Sequence, residues 1–477
     1  MQNKKLTFLL IHPEISRTKY NFVGVIENEC LELEYISALL KDRGHDVFQY
    51  DGQVEKITVP KAMKKYNPDV VYVCGRTRQE NFMLEYCKDA KEYNPKIITI
   101  IGGLHAQLCY ERMYRDYVDY ILTSYDINHV AELAESDITL KADVIDNKDD
   151  DRECINDSRI IELCKNMEGL CYKENGKWHH NIAKPCDIND LPRPDRTYFY
   201  EHPDNYRYLE LEHAAWVRTA YSCPYRCKFC HRNRMNQSTY SARDIIDVVD
   251  EIEALNEANI YIVDDDFLYD EKRLWTFVEE IKKRNISKKY ICYGRADFIS
   301  THESLMAALK EIGLYYVLVG LEAVNDKQLK DYNKLSDMRS NIKSVQICNS
   351  LGIHLMGMFI LDLDFKRRDF KDMYRFAKEN NIAHVALSIY TPEMGLENFE
   401  DYKDRMITDN PSHFDYLHLV AKPENLSVRA YYFEYYILLI RFFLKAKKEG
   451  IYDFIDYGDY IKSFLKNMFM KRSHDDE

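Results

Sequence analysis

The sequence lacks any apolar run approaching the about 18–20 uncharged residues that a membrane span needs. It also lacks a small-residue cleavage site after its opening MQNKKLTFLLIHPEI, which reads as a first strand and no signal peptide. The expectation is a cytoplasmic protein with no membrane span. Positive charge is in deficit: 66 Lys and Arg face 79 Asp and Glu, a net charge of −13, which argues against a nucleic-acid partner. Neither GxGxxG nor GxxxxGK[ST] occurs in the first 135 residues, so a dinucleotide fingerprint and a P-loop are both excluded there. The 13 cysteines are odd in number, and most, such as Cys30, Cys74, Cys87, Cys109 and Cys348, are scattered singly. They read as small buried hydrophobes, and a disulfide scaffold is not expected without export.

What is present is ample apolar material, 46% of 477 residues, enough for two or three cores. Residues 6–12, LTFLLIH, form the short apolar run of a strand buried on both faces. LELEYISALLKDRGHDVFQYD (31–51) follows with helical periodicity, a Gly44 stop and a second strand. AMKKYNPDVVYVC, ENFMLEYCKDAKEYNPKIITIIGG and ERMYRDYVDYILTS repeat the helix–strand unit. This alternation predicts an α/β fold with a doubly wound parallel sheet over 1–135, whose ligand edge lies at the carboxyl ends of the strands. Gly102-Gly103-Leu104-His105 is delivered to that edge, where paired glycines let a bulky ligand approach the backbone.

Residues 136–210, with DNKDDDRE and DINDLPRPDRTYF, read as a linker. From 211 to 392 the alternation resumes through WVRTAY, NIYIVDD, KYICYGR, YYVLVGLE, HLMGMFILD and HVALSIYTP. Six such units predict a partial (β/α)6 barrel with its active face at the strands' carboxyl ends. Residues 393–477 are expected to be a helical C-terminal region, with the aromatic stripe of RAYYFEYYILLIRFFLKAKK docked over the barrel.

The loop after the first barrel strand reads SCPYRCKFCH. Cys227-Lys-Phe-Cys230-His231 matches the CxxCH of covalent haem attachment. Cys223, Cys227, Cys230 and His231 are also a donor set for zinc, and the three cysteines alone suit an iron–sulfur cluster with one iron lacking a protein ligand. Haem attachment fits poorly with an unexported chain. A structural zinc site normally closes a small domain without its own core, whereas this loop opens a large barrel. Three soft thiolates on a short loop favour iron–sulfur, with His231 an ordinary loop residue.

CxxxCxxC after the first strand of a (β/α)6 barrel resembles the radical S-adenosylmethionine (SAM) superfamily. The resemblance implies that Cys223, Cys227 and Cys230 hold a [4Fe–4S] cluster, whose open iron chelates SAM and whose electron yields a 5′-deoxyadenosyl radical. Phe229 then lies near the adenine. The whole layout resembles the cobalamin-binding members more narrowly. GGLHA (102–106) matches their loop beside the corrin, implying cobalamin contacts for Gly102, Gly103 and His105. VDDDF, YGRADFI and VGLEAV match motif positions, implying SAM contacts for Asp264 or Asp265, Arg295 and Glu322. Asn333-Lys334 and Thr391-Pro392 also fall at such positions. Gly103→Val is expected to block the corrin with little loss of fold, given a negative φ.

The sequence departs from that family in three places. No DxHxxG supplies an axial histidine to cobalt, Thr123-Ser124-Tyr125-Asp126 replaces a Gly-Glu-rich turn, and Leu361-Asp362-Leu363-Asp364 replaces a Gly-Pro turn. The implied function is cobalamin-dependent radical methyl transfer to an unactivated carbon of a small-molecule or natural-product substrate, with a flavodoxin or ferredoxin as electron donor. Cobalamin-free radical cyclisation, rearrangement or oxidation is the alternative, and a non-catalytic iron–sulfur module is a third reading.

Overall fold

The computed structural model describes residues 5–15, 26–145 and 150–451. Residues 1–4, 16–25, 146–149 of the charged run and the last 26 residues of the C-terminal region lie outside the described residues.

Five parallel strands open the fold: β1 (Thr7–His12), β2 (Asp46–Asp51), β3 (Val70–Cys74), β4 (Ile98–Gly102) and β5 (Tyr120–Leu122). Their order is β2-β1-β3-β4-β5. The chain reverses its direction of travel between β1 and β3, so the crevice between the ends of those two strands is the topological switch point where such sheets bind ligands. β3 and β4 are buried along their whole length, which is why VVYVC and ITIIG are apolar without alternation. Helix α1 (Leu31–Asp42) packs on one face of the sheet and helix α2 (Val59–Tyr66) with α3 (Glu80–Tyr93) on the other.

The sheet does not end at residue 135. Two antiparallel strands, β6 (Leu170–Glu174) and β7 (Lys177–His180), add to β5 and complete a seven-stranded sheet. Part of the segment read as a linker is therefore sheet, and Met167, Leu170 and Tyr172 belong to the first core. The reading failed there because a short hairpin with a polar outer strand carries neither a long apolar run nor a helix–strand repeat.

The second sheet holds six parallel strands in sequential order: β8 (Ala214–Val217), β9 (Asn259–Ile262), β10 (Lys289–Gly294), β11 (Leu314–Glu322), β12 (His354–Leu361) and β13 (His384–Ile389). WVRTAY is split: β8 ends at Val217, and Ala220–Tyr221 pairs with Ser241–Ala242 beside the cysteine loop. The helix Val428–Lys448 docks on the barrel through Tyr431, Tyr435, Leu438 and Phe442, and the Tyr431 hydroxyl donates to the Leu361 carbonyl at 2.7 Å.

Two of the contacts between the units are a buried ion-pair bridge and an aromatic stack. Arg196 is buried between Glu29 of the first unit and Glu251 of the second, at 2.9 and 3.0 Å. Tyr125 stacks on Tyr221 with ring centres 4.0 Å apart and planes 5° from parallel. The turn 123–126 that departs from the family pattern is thus a docking surface for the barrel. Among the described residues no helix is long and apolar enough to cross a membrane.

Candidate active site

A cavity of about 280 Å³ opens at the carboxyl ends of the barrel strands. Cys223, Cys227 and Cys230 all line it, none in a disulfide. Burial pushes the Cys223 and Cys230 thiols up to about 12, so ionising them calls for a positive partner such as iron. Among the described residues no three His, Cys, Asp or Glu side chains are drawn together as the shell of a single ion. The fit to a cluster rests on donor chemistry: three free thiols on one cavity wall and no fourth cysteine.

The aspartate run after β9 sends its three side chains to different places. Asp264 turns inward, accepting hydrogen bonds from the Thr219 and Ala220 amides at 2.6 and 2.9 Å and from the Thr219 hydroxyl. It does not line the cavity, so the expected SAM contact gives way to a structural one. Asp265 lines the cavity and pairs with Arg232 at 3.3 Å. Asp266, which the sequence reading passed over, also lines it, and both its carboxylate oxygens are buried without a hydrogen-bond partner. Burial pushes its pKa up to about 8, against the pull of Arg295 and Lys334. An orphaned carboxyl beside the cysteines fits the ammonium of a bound amino acid.

Glu322 and Arg295 reach the same cavity. Glu322 ends β11 at a register shift with φ 60°, a strained value for a non-glycine residue. Gly320 leaves it room, since a Cβ there would stand 2.1 Å from the Glu322 Oε1. Arg295 is held bidentately by Asp297 at 3.0 and 3.1 Å and lies 3.6 Å over the Tyr225 ring. Its carboxylate-binding fork is thus already engaged. Phe229 meets Tyr332 edge-on at 5.3 Å, and Asp362 of the departing turn accepts from the Tyr332 hydroxyl. Thr391 lines the cavity wall.

A second cavity, about 150 Å³, lies at the switch point between the two sheets. His12 at the end of β1 and Cys74-Gly75-Arg76 at the end of β3 line it, facing Arg218 and Arg232 from the barrel. Arg76 forms no ion pair among the described residues, and enclosure together with Arg232 pulls its pKa below the ordinary value. Gly102, Gly103 and His105 do not line this cavity. Gly102 ends β4, one strand beyond the switch point, and Gly103 and His105 follow it into the helix Leu104–Cys109. A Cβ on Gly102 would meet the Tyr72 hydroxyl at 1.9 Å, and Gly103 has φ 90°, so these glycines serve packing and a left-handed turn. His105 is fully buried with its Nε2 2.6 Å from Glu80.

A third cavity lies against the other two. It shares Arg76, Arg78 and Leu104 with the switch-point cavity and His231 and Tyr416 with the cysteine cavity, and Arg232 faces all three. His231 is therefore more than a loop filler. It is buried, its Nε2 has no partner, and burial with Arg232 and Arg76 holds it well below its ordinary pKa. Across from it, burial pushes Glu393 up to about 7.

Two family models match the chain: a B12 binding domain over residues 27–134 and the Radical SAM superfamily over 217–377. The chain belongs to the radical SAM enzymes that carry a B12 binding domain. Membership brings three cofactors: a [4Fe–4S] cluster, SAM and cobalamin. An uncharacterized methyltransferase, PH0819 of Pyrococcus horikoshii, is 25% identical over 409 residues, spanning 83% of each chain. The methyltransferase TsrM of Kitasatospora setae, solved with cobalamin and a [4Fe–4S] cluster, superposes with a TM-score of 0.62 at 16% identity, covering 90% of this chain and 84% of that one. The cobalamin-dependent enzyme OxsB superposes at 0.63 with 18% identity over 91% of this chain. This radical SAM chain spans only 61% of the OxsB chain's length.

Proposed function

We propose that this radical SAM enzyme transfers a methyl group to an unactivated carbon of a small-molecule substrate, in a cobalamin-dependent reaction. The observation that carries the reading is the series of adjoining cavities from the switch point of the first sheet to the cysteine loop of the second. A substrate held in the middle cavity has one cofactor site on each side, as a radical methylation requires.

Cobalamin supplies the methyl group, while the cluster with SAM supplies the radical that removes hydrogen. Cys223, Cys227 and Cys230 would hold the cluster. Asp266 would accept from the SAM ammonium, with Glu322 on the ribose hydroxyls and Phe229 against the adenine. Arg232 and Tyr416 would orient the substrate from the barrel side, and the two sheets exclude water around it. A flavodoxin- or ferredoxin-type protein would deliver electrons.

The test is anaerobic reconstitution with iron, sulfide and hydroxocobalamin, followed by desalting, reduction and incubation with methyl-labelled SAM. About one retained cobalt per chain, with 5′-deoxyadenosine and unlabelled S-adenosylhomocysteine formed and the label passed out of SAM to the acceptor, supports the proposal. 5′-Deoxyadenosine without retained cobalt transfers the reading to cobalamin-free radical chemistry. Neither product would leave a non-catalytic module.

A further inference from the structure

Two thiols outside the cluster loop meet in the switch-point cavity. Cys30 caps the N-terminus of α1 and Cys74 ends β3, and their sulfurs lie 3.6 Å apart. Both line the cavity together with His12, and neither is in a disulfide. The separation is roughly 1.5 Å beyond the S–S bond length of about 2.05 Å, a gap that small side-chain rotations close.

The pair is asymmetric. Cys74 stands as hydrogen-bond partner to Cys30, and His12 and the Leu33 amide add to its effect, so that the Cys30 thiol is held below its ordinary value despite burial. Cys74 itself is pushed well up. By contrast burial alone pushes Cys348 up to about 12. Cys30, partly exposed at a helix N-terminus, is the sulfur placed to attack, and the buried Cys74 is placed to resolve.

We propose that Cys30 and Cys74 are a redox-active thiol pair that closes into a disulfide inside the switch-point cavity when a hydroperoxide reaches it. The Cys30 thiolate attacks a peroxide oxygen and the O–O bond breaks, giving a Cys30 sulfenic acid and, with hydrogen peroxide, one water. Cys74 loses its proton and attacks the sulfenyl sulfur. The S–O bond breaks, the S–S bond forms, and the hydroxide leaves as a second water. The two thiols give up two electrons and the peroxide is reduced by two. A dithiol reductant reverses the step. The new bond ties the first turn of α1 to the end of β3 and narrows the space at the switch point, so the oxidised chain loads cobalamin poorly. That consequence rests on the cobalamin reading of the cavity, whereas the cross-link does not.

The full-length chain, reduced and free of cofactors, is treated anaerobically with one equivalent of hydrogen peroxide, alkylated and mapped by peptide mass spectrometry. The expected product is a cross-linked peptide pair containing Cys30 and Cys74, lost on treatment with dithiothreitol and absent from Cys30→Ser and Cys74→Ser. Separate alkylation of both thiols after the peroxide is consumed, or a Cys30 sulfinic acid beside a free Cys74, overturns the proposal. In parallel, oxidised and re-reduced samples are loaded with hydroxocobalamin and desalted. Severalfold less cobalt in the oxidised wild-type chain, with no such difference in Cys74→Ser, supports the effect on loading. Equal retention despite the cross-link overturns that effect. No cobalt in either sample counts against the cobalamin reading and leaves the peptide map to decide the cross-link.

Discussion

Glu322 and Lys334 form a buried ion pair, Nζ to Oε1 at 2.8 Å, in the wall of the cysteine cavity. Removing one partner leaves the other charge buried and unpaired, a cost of about 3–5 kcal/mol. Glu322→Ala should therefore lower the melting temperature, and Glu322→Ala with Lys334→Ala should recover much of it. SAM affinity, read by calorimetry, should stay roughly tenfold or more weaker in both variants, from the lost charge-assisted hydrogen bond. Recovery of affinity in the double variant would limit Glu322 to a structural role.

Asp266 is the opposite case, a carboxyl whose two oxygens have no hydrogen-bond partner among the described residues. Its folded pKa is raised from 3.8 to about 8, so its contribution to stability is present at low pH and lost as pH rises through 8. In the chain without cofactors, Asp266→Asn should match wild type near pH 4 and melt at higher temperature by an increasing margin up to about pH 8. The same variant should bind SAM more weakly. Melting curves across that range, with and without SAM, check both signs.

The three loop cysteines are expected to act as one unit. Cys223→Ala, Cys227→Ala and Cys230→Ala should each abolish the iron–sulfur charge-transfer absorption after reconstitution, whereas His231→Ala should keep it. Iron and acid-labile sulfide are measured on each variant. Loss of iron in His231→Ala would bring the imidazole into the ligand set.

Gly102 and Gly103 should report on packing. A methyl at Gly102 is driven into Tyr72, so Gly102→Ala is expected to cost about 1–3 kcal/mol. Tyr72→Phe removes the nearest clashing atom and should restore part of that loss. Gly103→Val, at φ 90°, should lose stability by strain at the helix start, whatever happens to the corrin. Thermal unfolding distinguishes this from selective loss of cobalamin.

The sequence made the two sheets legible because parallel strands buried on both faces are written as short apolar runs between amphipathic helices. VVYVC, ITIIG and HLMGMFIL leave little choice. The cysteine loop was legible because its donors are close together along the chain. The rest of the site is assembled across long separations. Cys30 and Cys74 are 44 residues apart, and only the strand order, which no helix–strand alternation reveals, brings them together. In VDDDF three equal carboxylates compete for one role, and the choice of Asp266 over Asp264 depends on Thr219 and Ala220 capturing the latter. Asp362 and Tyr125 stood out as departures from a pattern, and their partners Tyr332 and Tyr221 could be found only in three dimensions.

The hairpin β6–β7 has a consequence for the order in which the chain can fold on a ribosome. Ile121 and Leu122 of β5 pair with Cys171 and Leu170, and Met167 and Tyr172 fill the core beneath α1. A nascent chain that has emerged only to residue 135 presents β5 as an open sheet edge above an incomplete core, the condition under which strands recruit wrong neighbours. The first unit closes only after His180 has been translated. Gene fragments intended to yield it alone therefore need their stop codon beyond that hairpin.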